Sequence, residues 1–318
     1  MDSREIRELT TISLRNDIIF KYVFGHEKNE KILRSLLNAI LHLEGDQRII
    51  SLTFLNPANL KEYLDDKFST LDVKASDETG KRYNIEMQVR TYRSYIARVI
   101  YYHDRLFTGD IEEGGAYDNL MKSISISILN FRLFREEGDL HTIYRYANIK
   151  SKRELTDLKE LHFIELPKFR KEKPRYLRTR FEKWLHVLKF GEHYAFDPGK
   201  VPEVLKNEEE ILMAMREMKK ASSDRMVREM MEVREKALLD EATLRIEGER
   251  EAMERGMAQG MAQGMAQGIK QGREEGREEG RMEQVCEIAL RMRKQGFDSR
   301  TIADLTGLSA DELEKLSS

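Results

Sequence analysis

Apolar and polar residues alternate along two neighbouring segments of the chain, residues 71–76 and 81–89. A period of two is typical of β-strands that bury one face. A three-residue turn over Glu78–Gly80, with Gly80 in the left-handed conformation, would join the segments as a β-hairpin. One face of this predicted hairpin fits a hydrophobic core, and the other carries only polar side chains.

The polar face of the hairpin brings two acids together. In the predicted register Asp72 lies opposite Glu86, Lys74 lies opposite Asn84, and Gln88 points to the same side as Glu86. Opposed side chains have Cβ atoms about 4.5–5.5 Å apart, and two carboxylates there repel each other unless a cation neutralises them. Two carboxylates with a backbone carbonyl suit a hard cation such as Mg²⁺. The alternative is a surface hairpin whose acids simply pair with Lys74.

The surrounding pattern mixes helical and strand periods, which indicates an α/β domain. Asp17, at the start of the first helix, is either its cap or an accessory acid of the site. Apolar residues at helical spacing predict helices over 17–24, 31–43, 92–107 and 176–188. Alternation predicts strands over 123–131, 141–150 and 161–169.

Five sequence blocks within residues 10–200 occur in an order that is specific to one family. They are Asn16–Gly25, Leu71–Lys74, Asn84–Gln88, Tyr101–Phe107 and Ser125–Phe131. The chain resembles the PD-(D/E)XK nuclease family transposases, also called recombination-promoting nucleases. This resemblance implies a restriction-endonuclease-like core with a mixed sheet and the element order αβββαβ, followed here by a helical C-terminal tail.

The resemblance also implies roles for the polar residues of the hairpin. Asp72 and Glu86 would hold Mg²⁺, or another divalent cation such as Mn²⁺ or Ca²⁺, for phosphodiester hydrolysis. Gln88 stands where the superfamily has a lysine, as is usual in this family. It can orient a water molecule but cannot neutralise charge, and Lys74 is the nearest candidate on this face for that catalytic role.

Composition limits the remaining possibilities. With 318 residues, of which 40% are hydrophobic and 35% charged, the chain can form one sizeable core but is too polar to be globular throughout. The net charge of −2 gives no overall attraction to nucleic acid. The single Cys286 excludes an internal disulfide, and no apolar run is long enough for a membrane span. We expect a cytoplasmic, nucleoid-associated bacterial protein.

Positive charge is concentrated between Arg145 and Lys189, where 14 Lys and Arg residues outnumber 6 Asp and Glu residues. Basic residues interleaved with aromatic ones are typical of sequence-independent contacts to DNA phosphates. The alternative is a solvated surface loop. The predicted DNA-binding residues are Lys168, Arg170, Lys171, Lys173, Arg175, Arg178 and Arg180.

Beyond residue 200 the character of the chain changes. A Met-rich amphipathic helix is predicted over 201–219 and a charged helix over 229–249. Each glycine in a helix interior is disfavoured by about 1 kcal/mol relative to alanine, so we expect a flexible linker or a helix held by a second copy of the chain. The glycines recur at 256, 260, 264, 268, 272, 276 and 280.

The last segment resembles a helix-turn-helix. We expect a helix over 283–295, a second helix capped by Ser299, and a final helix with a Ser309–Glu312 capping box. The final helix is acidic, which favours packing or oligomerisation over reading DNA.

These patterns divide the chain into four parts. They are a PD-(D/E)XK nuclease-like domain (1–200), a helical extension (201–247), a glycine-repeat linker (248–283) and a helix-turn-helix-like unit (284–318). We expect a metal-dependent DNA endonuclease that acts in recombination or transposition and forms homo-oligomers through its tail. The alternative is a non-catalytic DNA-binding or assembly protein that kept the nuclease fold.

Overall fold

The computed structural model describes residues 11–55, 72–109, 117 and 120–316, and it divides into two compact units at Glu241. Leu71 lies outside the described residues. The strands are β1 (Leu52–Phe54), β2 (Val73–Asp77), β3 (Arg82–Gln88), β4 (Ser123–Leu129), β5 (His141–Ala147) and β6 (Glu154–Glu165). The helices are α1 (Asp17–Phe24), α2 (Glu30–Ile40), α3 (Tyr95–Thr108), α4 (Arg180–Phe190), α5 (Glu192–Ala195), α6 (Glu203–Lys206), α7 (Glu209–Ser223), α8 (Arg225–Lys294), α9 (Ser299–Thr306) and α10 (Ala310–Lys315).

The described strands form one mixed sheet in the order β1-β2-β3-β4-β6-β5. Antiparallel pairs join β1 to β2, β2 to β3 and β5 to β6, whereas β3–β4 and β4–β6 are parallel. Helix α3 connects β3 to the parallel β4, as a crossover must. The predicted αβββαβ order and mixed sheet are therefore confirmed.

The hairpin of β2 and β3 has the predicted register. Lys74 pairs with Asn84, and Gly80 adopts a φ of 84°, the left-handed conformation that the turn requires. The Asp77 carboxylate fixes this turn, because it accepts hydrogen bonds from the Thr79 backbone and hydroxyl and from the Lys81 backbone. Continued by one residue, this register sets Asp72 against Glu86.

Both faces of this hairpin are covered. The core face, with Val73, Tyr83 and Ile85, packs into the main hydrophobic core, where α1 contacts β3. The polar face lies under α3, whose Tyr95 and Val99 form a second, smaller cluster with side chains of β4 and β6. The predicted polar face is therefore enclosed by a helix.

Helix α1 is buried on all sides, and it begins differently from one of the predicted alternatives. Asn16, not Asp17, is the N-cap, because its side-chain oxygen accepts hydrogen bonds from the backbone of Ile18 and Ile19 at 2.9 and 3.1 Å. Asp17 lies in the first turn and forms an ion pair with Arg234 at 3.0 Å.

Two local predictions need correction, and one strand was not predicted. The predicted strand over 161–169 begins earlier, as β6, because residues from Glu154 onward pair with β5. The predicted helix over 201–219 is interrupted near Asn207, which ends α6 before α7 begins. Strand β1 escaped prediction because its length of 3 residues is too short to show a period.

The glycine repeat is helical in the structure, which corrects the expectation of a flexible linker. It lies within α8, a helix of 70 residues. Arginine–glutamate pairs four residues apart precede the repeat, for example Arg250–Glu254 at 3.1 Å, and such pairs stabilise helices. No described atom beyond the helix backbone lies within 4 Å of a Cβ built on the repeat glycines.

The second compact unit ends in a small helical cluster. Ala289, Ile302, Leu308 and Leu313 form its buried core. The Ser309–Glu312 capping box is confirmed. Asp298, not Ser299, caps α9, because its carboxylate accepts hydrogen bonds from the first two backbone N–H groups that follow Ser299.

Candidate active site

Glu86, on β3, is held in place by two hydroxyl groups. Tyr95 of α3 and Ser127 of β4 both donate hydrogen bonds to its Oε1, at 2.8 and 3.1 Å. No hydrogen bond from the described residues reaches Oε2. Burial raises the pKa of the Glu86 carboxyl, while the Tyr95 hydrogen bond and the Arg98 charge oppose that rise. The site thus holds an oriented carboxylate whose ionised form a nearby cation would stabilise.

Asp72 precedes β2 and is only 3% exposed. Lys74 lies beside it, with 3.4 Å between Lys74 Nζ and Asp72 Oδ2, so the structure places this predicted lysine next to the predicted acid. A second lysine approaches from α1, since Lys21 Nζ donates to the Asp72 backbone oxygen at 2.6 Å. Burial lowers the pKa of Lys21 to about 8, and the Asp72 charge opposes the shift.

Lys21 was not among the predicted site residues, although the sequence carries a signal for it. Lys21 is the lysine within a helix of otherwise apolar residues from Ile18 to Phe24, and all of these residues are buried. Lysine is almost never fully buried without a partner. A lone lysine on a helix that is apolar all round therefore indicates a buried acceptor.

The two predicted acids share one small pocket. Asp72 and Glu86 line it together with Asn84 of β3, Ser125 of β4 and Arg98 of α3. Asn84 Oδ1 is buried there without a hydrogen-bond partner among the described residues. An oxygen-rich pocket with an unpaired acceptor fits a hard divalent cation. In the described part of the chain, no group of three or more His, Cys, Asp or Glu is placed to hold a metal.

Helix α3 brings a cation and aromatic side chains to this pocket. The Arg98 guanidinium lies 5.5 Å from the Tyr102 ring centre and 5.9 Å from that of Tyr92. Its charge also acts on Glu86. Tyr95, Arg98 and Tyr102 recur at helical spacing, but they were not among the predicted site residues.

Gln88 ends β3 on the same face as Glu86. Its Nε2 donates to the backbone oxygen of Arg90 at 2.7 Å, so its amide is anchored on the following loop. The predicted accessory Asp17 does not line the pocket of Asp72 and Glu86. Its carboxylate binds Arg234 instead.

The predicted DNA-binding residues fall into two groups. Lys168 pairs with Glu165, Lys171 with Glu182 at 2.5 Å, and Arg180 with Glu208 at 3.3 Å and Glu210 at 2.5 Å. These ion pairs reduce the local positive charge below what composition suggested. The second group, Arg170, Lys173, Arg175 and Arg178, is exposed and forms no ion pair with an acid among the described residues.

The basic residues begin at the sheet edge that carries the acids. Gln88, Leu129 and Glu165 are paired neighbours at the carboxyl ends of β3, β4 and β6. Strands lie about 4.8 Å apart, so the segment after β6 starts about 10 Å from Gln88. Arg132 and Arg135 of the β4–β5 loop line a groove with Lys168, Arg170 and Lys171. Ligands of open α/β sheets bind at this edge.

A family model described as PD-(D/E)XK nuclease family transposase matches residues 14–247. The chain belongs to this family. The five sequence blocks are thus confirmed as a family resemblance, and the nuclease-like fold is confirmed with them. For this PD-(D/E)XK family protein, a second model matches residues 283–318 and describes the C-terminal helix-turn-helix domain of the Rpn/YhgA-like nuclease family.

No curated protein and no solved structure matches this family member. None of the described helices combines the length and the apolar character needed to cross a membrane.

Proposed function

We propose that this protein is a Mg²⁺-dependent DNA endonuclease that hydrolyses phosphodiester bonds in recombination or transposition. One observation carries the proposal: Asp72, directly before β2, and Glu86 of β3 line one oxygen-rich pocket in a chain of a nuclease family. Two carboxylates at this spacing repel each other unless a cation lies between them.

In this proposal Asp72 and Glu86 hold Mg²⁺, or another divalent cation such as Mn²⁺ or Ca²⁺. The bound cation would lower the pKa of a coordinated water and neutralise phosphate charge. Tyr95 and Ser127 orient Glu86 through its Oε1. Lys74 adds positive charge beside Asp72.

Gln88 orients the attacking water in this proposal, and this requires its amide to leave the Arg90 carbonyl when DNA binds. The hydrogen bond between Gln88 and the Arg90 carbonyl also favours the alternative, a non-catalytic DNA-binding protein. Gln88 carries no charge, and its amide is already bound to the backbone.

DNA is the proposed partner at the carboxyl edge of the sheet. The exposed Arg170, Lys173, Arg175 and Arg178 would contact phosphates, because they follow the strand end that lies near Gln88. Lys168, Lys171 and Arg180 would contribute less, since each is already paired with an acid. The helix-turn-helix domain supports DNA as partner. A DNA substrate in turn implies a cytoplasmic, nucleoid-associated protein.

The tail is proposed to form homo-oligomers. Met253, Met257, Met261 and Met265 are exposed along α8 at steps of four residues, and such apolar side chains favour contact with a second copy. Residues 1–241 should therefore have a lower oligomeric mass than the full chain in light scattering. This truncation retains Val227, Met230 and Met231 of the main core.

Plasmid nicking tests the catalytic proposal. Wild-type protein should nick supercoiled DNA with Mg²⁺ and should stop in excess chelator, whereas Asp72→Ala should be inactive but folded by circular dichroism. Asp46→Ala, which removes an exposed acid of a surface turn, is the matched control and should cut normally. Cutting by Asp72→Ala, or by wild type in chelator, would exclude this site.

A further inference from the structure

We propose that Asn84 supplies a third protein oxygen to the divalent cation held by Asp72 and Glu86. The inference rests on the proposed metal site and adds a residue to it. Asn84 lies on β3 two residues before Glu86, so both side chains point to the same face of the sheet. The observed register sets Asn84 beside Ser125 of β4, under helix α3.

The carrying observation is an unsatisfied oxygen. Asn84 is 4% exposed, and its Oδ1 has no hydrogen-bond partner among the described residues. Buried polar side chains nearly always have a partner, and leaving an acceptor unpaired is destabilising. An exception at this position calls for a ligand that binds to oxygen.

The surroundings of this oxygen indicate which kind of ligand it would bind. Asn84 lines the same pocket as Asp72 and Glu86, so a cation held by the two carboxylates has the amide oxygen within its surroundings. Amide oxygens are ordinary neutral ligands of Mg²⁺-like and Ca²⁺-like ions. The amide oxygen of Asn84 would add a third protein ligand to the two carboxylates.

Arg98 is the competing cation in this pocket, and the structure shows it engaged elsewhere. Its guanidinium donates to the Tyr92 hydroxyl and stacks near Tyr102. It does not donate to Asn84 Oδ1, which has no hydrogen-bond partner among the described residues. Asn84 Oδ1 thus shares a pocket with Arg98 but accepts no hydrogen bond from it.

The test measures metal binding without catalysis. Isothermal titration with Mn²⁺ should show roughly tenfold weaker binding for Asn84→Leu than for wild type, a loss typical of a disrupted metal environment. The leucine keeps the branched shape of the side chain and removes the oxygen. The melting temperature without metal should stay equal or rise, because an unpaired acceptor is removed, while the upward shift caused by Mn²⁺ should shrink.

Thr142→Val is the matched control. Thr142 Oγ1 is another buried oxygen without a partner among the described residues, but it lies on β5 and does not line this pocket. This variant should bind Mn²⁺ as wild type does. Equal Mn²⁺ affinity and equal metal-induced melting shifts in Asn84→Leu and Thr142→Val would overturn the proposal and leave Asn84 as a structural residue.

Two further variants keep the outcome decisive. If Asn84→Leu does not fold, Asn84→Asp keeps an oxygen in place and should bind Mn²⁺ at least as tightly as wild type, so weaker binding would also overturn the proposal. Asp72→Ala separates this inference from the metal site itself. If wild type and Asp72→Ala both fail to bind Mn²⁺, the proposed metal site is wrong, whereas a loss in Asp72→Ala without a loss in Asn84→Leu removes only the role of Asn84.

Discussion

The two faces of strand β3 are both buried, but different forces keep them so. On one face Tyr83, Ile85 and Met87 join the main hydrophobic core, where removal from water is favourable in itself. On the other face Asn84 and Glu86 lie under α3, where burial of polar groups is unfavourable unless they find partners.

The two faces therefore contribute differently to the stability of the fold. Glu86 has partners in Tyr95 and Ser127, yet burial still raises the pKa of its carboxyl, and Asn84 Oδ1 has no partner in the described chain. The core face therefore stabilises the sheet, and the site face keeps unsatisfied groups that a ligand can satisfy.

The largest expected effect comes from the core face. Ile85→Ala should lower the free energy of unfolding by about 2–5 kcal/mol, because it removes a fully buried side chain and leaves a cavity. Urea denaturation measures this change. Ile96→Ala, at a position 44% exposed on α3, is the control and should change the free energy by less than about 0.5 kcal/mol. Equal effects would break the contrast between buried and exposed apolar residues.

A second test concerns two neighbouring histidines on the core face of the sheet, His141 and His162. On β5, His141 Nε2 lies 2.9 Å from His162 Nδ1, and burial lowers the pKa of His141 from 6.5 to about 4. The folded state then binds fewer protons than the unfolded state, so this stability is complete above pH 6.5 and is lost as the pH falls towards 4. His141→Gln should remove up to about 3 kcal/mol of that acid sensitivity.

Denaturation curves measured at several pH values between 4 and 7 test the His141 prediction. The slope of stability against pH should be shallower in His141→Gln than in wild type. His26→Gln is a control at a half-exposed position outside the core. The same slope in wild type and His141→Gln would show that another group controls the acid response.

At the carboxyl edge of the site face, the comparison is between exposed and paired cations. The double variant Arg170→Gln, Lys173→Gln should flatten the salt dependence of DNA binding by roughly 0.9 per lost phosphate contact. The matched double variant Lys171→Gln, Arg180→Gln removes cations already paired with acids and should change the slope less. Fluorescence anisotropy at increasing salt gives both slopes. Identical slopes in the two variants would remove the distinction.

The smallest expected effect is at Gln88. If it occupies the place of the superfamily lysine, Gln88→Lys should retain nicking activity and Mn²⁺ binding, because a lysine serves that position elsewhere. A folded, metal-binding variant without activity would show that Gln88 has a different role, and the nicking assay distinguishes the two.

Sequence predicted the hairpin register because the information is local. Gly80 and the alternating strands on either side specify the turn, and the observed Lys74–Asn84 pair follows from them. What escaped prediction comes from distant parts of the chain. Lys21 reaches Asp72 across 51 residues of sequence. Its place on an apolar helix indicates a buried acceptor, but nothing local identifies Asp72 as that acceptor.

The basic segment shows the same limit. Counting charges between Arg145 and Lys189 gave an excess of positive charge, but Glu208 and Glu210, which pair with Arg180, lie outside that window. The prediction of a flexible linker at the glycine repeat failed for another reason. Propensity argued against a helix, whereas the structure continues one helix from Arg225 to Lys294 through the repeat.

The Asp77 turn has a consequence for the order in which the molecule folds. Antiparallel hairpins close within about 1–10 μs, and contacts that are distant in sequence form later because longer loops must close first. The β2–β3 hairpin is local, whereas β3 pairs with β4 only across the intervening helix. We therefore expect Asp72 and Glu86 to face each other before β4 joins the sheet. If this pair binds a divalent cation as proposed, a cation present during synthesis would relieve their repulsion at that early stage and raise the folding rate.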